Sequence, residues 1–194
     1  MYIPKHFEVT DNKKIFAFIE ENAFGQLISN VEGRPFSTHL PFWVSEDRTH
    51  IFAHLARTNP QHTEIETQEA LITFEGPHDY ISPSWYSGPG VPTWNYQAVH
   101  IYGKCKVFND PNRLKNLVDS LTNKYESGFE KPWQPEYKAT MLGAIVGVEI
   151  SINEVQCKYK LSQNRPTKDQ EQAIQKLKSA GSNRLAEAME HNEL

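Results

Sequence analysis

The chain has 194 residues, of which 38% are apolar and 23% charged, with a net charge of −4 and two cysteines. That is the composition of a globular protein able to bury one core, and no window approaches the unbroken apolar length a membrane span needs. The negative balance gives no support to nucleic-acid binding, which usually rests on a basic face. The opening MYIPKHFEVTDNKK lacks the apolar core of a signal peptide, and Cys105 and Cys157 form no CxxC pair. Both facts point to the cytoplasm.

After Thr10, the helical spacing of Ile15, Phe16 and Ile19 predicts an opening helix over residues 11–22. FGQLISN reads as a strand closed by the turn VEGRP. PFSTHLPFWV and THIFAHL, rich in aromatic and β-branched residues and separated by the polar SEDR, have the pattern of a hairpin. Thr58 or Asn59 followed by Pro60 starts a helix over PQHTEIETQ. ALITFEG, AVHIYGKCKVF and GAIVGVEISI are further strands, with NEVQCKYKL continuing the sheet after a bend.

Asp110 and Pro111 open a helix that places Leu114, Leu117, Val118, Leu121 and Tyr125 on one face. In the tail, Thr167 with Gln170 matches a capping box leading into KDQEQAIQKLKSA, which Gly181 ends before a short helix over residues 184–191. About six strands joined mostly by hairpin-length connections predict a mainly β chain, an antiparallel barrel with flanking helices. A doubly wound sheet would need a helix between successive strands, and the region from FGQLISN to THIFAHL has none. The organisation expected is a barrel domain over residues 1–165 with a C-terminal helical extension over 166–194.

Several residue sets carry candidate chemistry. Arg57, in HLARTNPQ, stands at a strand-to-helix junction whose N–H groups are unpaired, which makes either an anion site or a surface arginine beside a capped helix. Ser37, Thr38 and His39 lie on a strand that can face a ligand or solvent. His50, His54, His78 and His100 lie in or beside strands. Residues four apart in a strand are about 13 Å apart, so His50 and His54 cannot share one ion, and with no HExxH or CxxC no metal is expected. Neither GxSxG nor a phosphate-binding glycine motif is present. Cys105 sits between Lys104 and Lys106, which lowers a thiol pKa if the site is open and does nothing if the side chain is packed.

The least generic piece spans residues 76–104, which hold two of the four tryptophans and four of the eight tyrosines among prolines and glycines. This reads as a shaped loop. Tyr80, Trp85, Tyr86, Trp94 and Tyr96 offer planar surfaces, and Asn95 and His100 offer hydrogen bonds. Such a set suits a planar heteroaromatic ligand, a dimer interface or a locally packed cap.

In order along the chain, HLPF, HLARTNPQ, FEGPHDYISPSWY, VPTWNYQAVHIYGK, MLGAIVGVEI and KYKLSQNRP resemble the PaiB-like family of FMN-binding negative transcriptional regulators, known from spore-forming bacteria as regulators of protease synthesis and sporulation. The resemblance runs from YIPKHF to about Asp169. It implies a split β-barrel of the pyridoxamine-phosphate-oxidase type and a homodimer with FMN sites at its interface. By position it implies that Arg57 holds the FMN phosphate, with Thr38, His39, His54 and Gln61 nearby. VPTWNY, with Trp94 and Asn95, and KLSQNR, with Lys160, Gln163 and Asn164, would close over the isoalloxazine from the second subunit, and His100 would stand on the strand behind.

The oxidase signature with its substrate-binding arginines is not visible, so pyridoxine chemistry is not implied. Repression would act at promoter DNA directly or through another protein. The tail shows no helix-turn-helix with a basic recognition face. Beside this reading stand a flavin-dependent oxidoreductase acting on a small substrate and a cofactor-free module that binds a small metabolite.

Overall fold

In the computed structural model, which describes residues 1–135, 137 and 139–192, FGQLISN and its successor become β1 (Phe24–Val31) and β2 (Arg34–Pro41). Two residues link them, Glu32 at φ 51° and Gly33 at φ 73°, the geometry of a type I′ turn, whose twist matches that of the strands it joins. β2 does not pair onward with the next run. Phe42 is buried and its N–H donates to Ala23, so the chain breaks there and only β3 (Trp43–Val44) forms the hairpin with β4 (His50–Ala56). The predicted hairpin is therefore real but shorter, because most of PFSTHLP is taken by β1.

The remaining strands are long: β5 (Glu69–Ile81), β6 (Thr93–Phe108) and β7 (Ile145–Lys160). Among the described residues one seven-stranded sheet has the order β2-β1-β5-β6-β7-β4-β3, with β1 antiparallel to β2 and β5, and β4 antiparallel to β3 and β7. β2 also packs against β4, although the two are not neighbours in that order, so the sheet curls into the split barrel expected from the sequence.

Two readings of the sequence change. Residues 76–104 are not one loop, since residues 76–81 belong to β5 and residues 93–104 to β6; only residues 82–92, with a 3-10 turn at Pro83–Trp85, lie outside strands. The expected bend before NEVQCKYKL is also missing, and β7 runs on without a break through 16 residues.

The helices are α1 (Asn12–Glu21), α2 (Gln61–Glu64), α3 (Pro111–Glu126), α4 (Ala139–Leu142), α5 (Thr167–Ser179) and α6 (Asn183–Glu190). Asp110 caps α3 by accepting from the Arg113 N–H, as its sequence predicts. At α5 the capping box does not form. Pro166 is the N-cap, Thr167 is already helical, and the Gln170 carboxamide donates to the Arg165 carbonyl instead.

Packing divides the chain into two units, each taking part of β5, β6 and β7. The barrel unit comprises Ile19–Phe74 and His100–Val155. Its interior is Leu27, Ile51, Leu55, Ile72, Phe74, Ile101, Val148 and Ile150, and α3 lays Leu114, Leu117 and Leu121 against Phe108, Trp43 and Phe52 on the outside. Each such leucine stabilises by about 1.5–3 kcal/mol when fully buried.

The second unit comprises Met1–Phe18, Glu75–Val99 and the chain from Gln156 onward. Here Phe18 packs on Tyr159, and α5 and α6 bury Ala173, Leu177, Leu185 and Met189. Gly181, at φ 84°, ends α5 where the sequence predicts, with the Ser182 N–H donating back to the Leu177 carbonyl.

In the barrel unit the distal edge of the Phe108 ring lies against Gly147, and a Cβ at that position would overlap it. Gly147→Ala is expected to lower stability by about 1–3 kcal/mol, read as a fall in the thermal unfolding midpoint with the circular-dichroism spectrum retained.

Candidate functional site

The junction HLARTNPQ is built in the barrel unit by the residues that follow β4. Asn59 accepts from the Gln61 N–H at 2.9 Å and donates to the Thr38 hydroxyl at 3.0 Å, which joins the strand-to-helix turn to β2. Thr38 in turn donates to Gln61 Oε1 at 2.7 Å. Gln61 is fully buried, and its Nε2 donates to the Leu27 carbonyl and the Ser29 hydroxyl, so this carboxamide is spent on the barrel itself.

Arg57 is exposed at the end of β4, with Nε donating to the Gly143 carbonyl at 2.6 Å and one Nη to the Ile145 carbonyl at 2.9 Å. Its own carbonyl accepts from His62 Nε2 at 2.9 Å. His39 is exposed beside the Phe24 ring. His54 is half-buried and its Nδ1 has no partner; burial lowers its pKa, so the ring is neutral at neutral pH. His100 is half-buried on β6. Thr38, Asn59, Gln61 and Arg57 thus gather round one turn, and of these only Asn59 escaped the sequence reading. The signal for it was an Asx residue before Pro60, read there only as a helix cap.

The second unit brings KLSQNR and the stretch from Tyr86 to Trp94 together. Lys160 Nζ donates to Thr93 Oγ1 and the Trp94 carbonyl, both at 2.5 Å. Arg165 stacks its guanidinium over the Tyr86 ring at 4.4 Å and donates to the Pro89 carbonyl. Burial first, and then the charges of Lys158 and Arg165, hold Lys160 below the ordinary lysine pKa.

Asn95 is inside this unit, 1% exposed, with Nδ2 donating to the Ser162 hydroxyl at 2.9 Å and contacting the Met189 sulfur, while Oδ1 has no partner. Ser162 has φ 67°, a left-handed backbone that costs a non-glycine residue energy and is held by its surroundings. Gln163 closes on its own segment, accepting from the Leu161 N–H and donating to the Tyr159 carbonyl, and Asn164 is exposed. None of these residues lines the open cleft of about 310 Å³ between Ser84–Ser87 and Gln172, Gln175 and Lys176 of α5. Arg165, Ser162 and Asp169 were not singled out in the sequence; what joins them to the aromatic stretch is packing across 67 to 82 residues of chain.

Burial pushes both thiols, Cys105 and Cys157, up to about 12, with Glu66 adding to the effect at Cys105. The neighbouring lysines do not activate Cys105, and neither cysteine is a nucleophile.

Residues 1–154 match the family described as "Putative FMN-binding domain". The chain belongs to that FMN-binding family. A 40% identical relative, the "Protease synthase and sporulation protein PAI 2" of Bacillus subtilis, aligns over 98% of this chain and 97% of its own length. A protein of Aspergillus fumigatus is 30% identical over 84% of this chain and 85% of its own length. Two solved structures share the fold. The flavocytochrome Anf3 from Azotobacter vinelandii superposes with a TM-score of 0.68 at 17% identity, covering 87% of this chain and 77% of that one. An FAD- and heme-binding protein from Mycobacterium smegmatis gives 0.65 at 11% identity, covering 84% and 78%.

FMN is the cofactor that membership of the FMN-binding family assigns to the chain. The residues present fit it. A flavin mononucleotide carries a phosphate, ribityl hydroxyls and a ring edged with donors and acceptors. The HLARTNPQ turn offers the open edge of the Arg57 guanidinium and the second N–H of the Asn59 carboxamide, the Thr38 proton being taken by Gln61, and His54 Nδ1 is a buried atom still lacking a partner.

In the second unit, Asp169 accepts from the Ser87 hydroxyl at 2.7 Å and the Ser87 N–H at 2.8 Å, and these bonds hold its carboxyl below the usual range. A carboxyl depressed on folding stabilises fully above its unfolded pKa, and that contribution fades as pH falls through the folded value. Asp169→Ala is therefore expected to free residues 82–92 at neutral pH, seen as faster limited proteolysis there. The wild-type chain should show the same acceleration only in acid, below the ordinary aspartate range near 3.8.

Proposed function

We propose that this chain is an FMN-binding negative transcriptional regulator of the PaiB type, a cytoplasmic homodimer that represses protease synthesis and sporulation genes at a promoter, directly or through another protein. The observation that carries the reading is the alignment with the Bacillus subtilis protease synthase and sporulation protein, which extends end to end instead of stopping at the shared domain. A likeness confined to the flavin domain would have left the role of the chain open. The family supplies the cofactor, and the name of that relative supplies the process.

Within this reading Arg57 holds the FMN phosphate, and Asn59 ties Thr38 of β2 to the turn that follows Arg57. The two carbonyls that take Nε and one Nη fix the guanidinium plane, which leaves the remaining edge for a phosphate oxygen. His39 and His54 lie on the same barrel unit, and neutral His54 has an unpartnered ring nitrogen for a hydroxyl or ring N–H of the ligand. The flavin, when bound, supplies a redox-active ring whose state a regulator can sense; the protein's contribution is to seat and orient it.

Two measurements test the reading. Purified chain reconstituted with FMN should keep a flavin absorbance spectrum through dialysis, and Arg57→Gln should lose at least about tenfold in affinity with its thermal midpoint little changed. Equal retention by the variant would remove the phosphate assignment. Expression in a Bacillus subtilis strain lacking its own relative should restore repression of extracellular protease; protease output unaffected by expression would sink the regulatory role.

A further inference from the structure

The open cleft of the second unit is walled on one side by residues 84–87 and on the other by α5, and all of it lies within that unit. Its volume, about 310 Å³, is at the small end of the range of ligand sites, roughly 300–1,000 Å³. The two walls are tied together, since Asp169 in the first turn of α5 holds Ser87 through two hydrogen bonds. The loop wall is fixed as well. Ser82 accepts from the Ser84 N–H, and the Tyr86 ring is packed by the Arg165 guanidinium and by Gly90, where no Cβ would fit.

On the α5 wall Gln172, Gln175 and Lys176 are spaced three and four residues apart, which puts them on one face of the helix. Among the described residues their side chains make no hydrogen bond or ion pair. On the same helix Gln170 is spent on the Arg165 carbonyl and Lys178 on Glu190. Facing them, the Trp85 indole N–H has no acceptor among the described residues, and no carboxylate lines the cleft. The lining therefore holds one positive charge, a surplus of donors and an apolar ring. Its α5 wall stands past residue 154, where the match to the FMN-binding family ends, so this half of the cleft is built by the C-terminal extension.

We propose that the cleft seats the C-terminal end of a short peptide, with its carboxylate on Lys176, its last peptide group on Gln172 and Gln175, and its final side chain against Trp85. A carboxamide offers a donor and an acceptor in one plane, the same pair that a peptide group presents. Gln172 and Lys176 are about 6 Å apart along the helix axis, and two extended residues reach about 7 Å. The bonded walls leave little of the cleft to be ordered when a ligand arrives. The regulatory sense of this seat rests on the PaiB reading: short peptides are what proteases release, so a repressor of protease synthesis would respond to the product of the enzymes it restrains. The seat itself stands on the cleft alone.

The experiment is a calorimetric titration of the FMN-loaded full chain with the dipeptide Ala-Leu, with Ala-Leu amide and with leucine, flavin absorbance being followed throughout. Ala-Leu is expected to bind at least about tenfold more tightly than its amide, which lacks the negative charge. Lys176→Gln should bring the two to within about twofold of each other. Gln172→Leu should weaken both by about fivefold or more and leave their ratio unchanged. Neither side chain is bonded within the protein among the described residues, so both variants should keep the wild-type thermal midpoint.

No binding of Ala-Leu, equal affinity for Ala-Leu and its amide, or unchanged Ala-Leu affinity in Lys176→Gln would overturn the proposal. Leucine binding as tightly as Ala-Leu would also overturn it, since the peptide group would then contribute nothing. Release of FMN in step with dipeptide binding has the same consequence, because the cleft would then be the flavin's own. If the chain holds no FMN, or if its expression leaves protease output unaffected, the same titration still reads the cleft, so this inference and the regulatory reading fail separately.

Discussion

A carboxamide sealed from water must find partners for its donors and its acceptor or lose the free energy of hydration, and Gln61 finds them on both strands of the first hairpin. Its nitrogen binds the Leu27 carbonyl and the Ser29 hydroxyl of β1, and its oxygen takes the Thr38 proton from β2. Gln61 belongs to the turn after β4, so this side chain pins the end of one strand pair to the middle of another. The barrel is closed there by polar groups, in a place where apolar packing would give no direction. Directionality is what the junction needs, because Asn59 and Thr38 take their places from it, while the carbonyls of Gly143 and Ile145 hold Arg57.

The second unit repeats the device with different residues. Lys160, Ser162, Gln163, Arg165 and Asp169 each spend a polar group on the chain around residues 86–95 or on their own backbone. A segment with so many prolines and glycines is not stiffened by regular hydrogen bonding, and these bonds replace it. The strained backbone of Ser162 is tolerated because Asn95 binds its hydroxyl from within the unit. What looks from the sequence like a row of ligand-binding amides and cations is first of all the scaffold of a loop.

That difference marks what the sequence could show. The turn at Glu32 and Gly33, the α3 face of Leu114, Leu117 and Leu121, and the stop at Gly181 were legible, since each depends on residues a few positions apart. The split barrel and the FMN-binding family were legible from long irregular motifs. Strand lengths were not, because Gly76 and Pro77 are turn formers in isolation and remain extended only where neighbouring strands supply the pairing. Likewise nothing near Arg57 in sequence announces that its guanidinium faces carbonyls of residues 143 and 145, or that Asn95 lies inward, with α6 over it.

The placement of Met189 against Asn95 has a consequence for how the molecule can be cut. The family match stops at residue 154, six residues before β7 ends, yet the partners of Asn95 stand at 162 and 189. A fragment trimmed to the recognised domain would sever a strand midway and open a sealed amide to water. The boundary of the family match and the mechanical boundary are different places, since the last partner of Asn95 stands on α6.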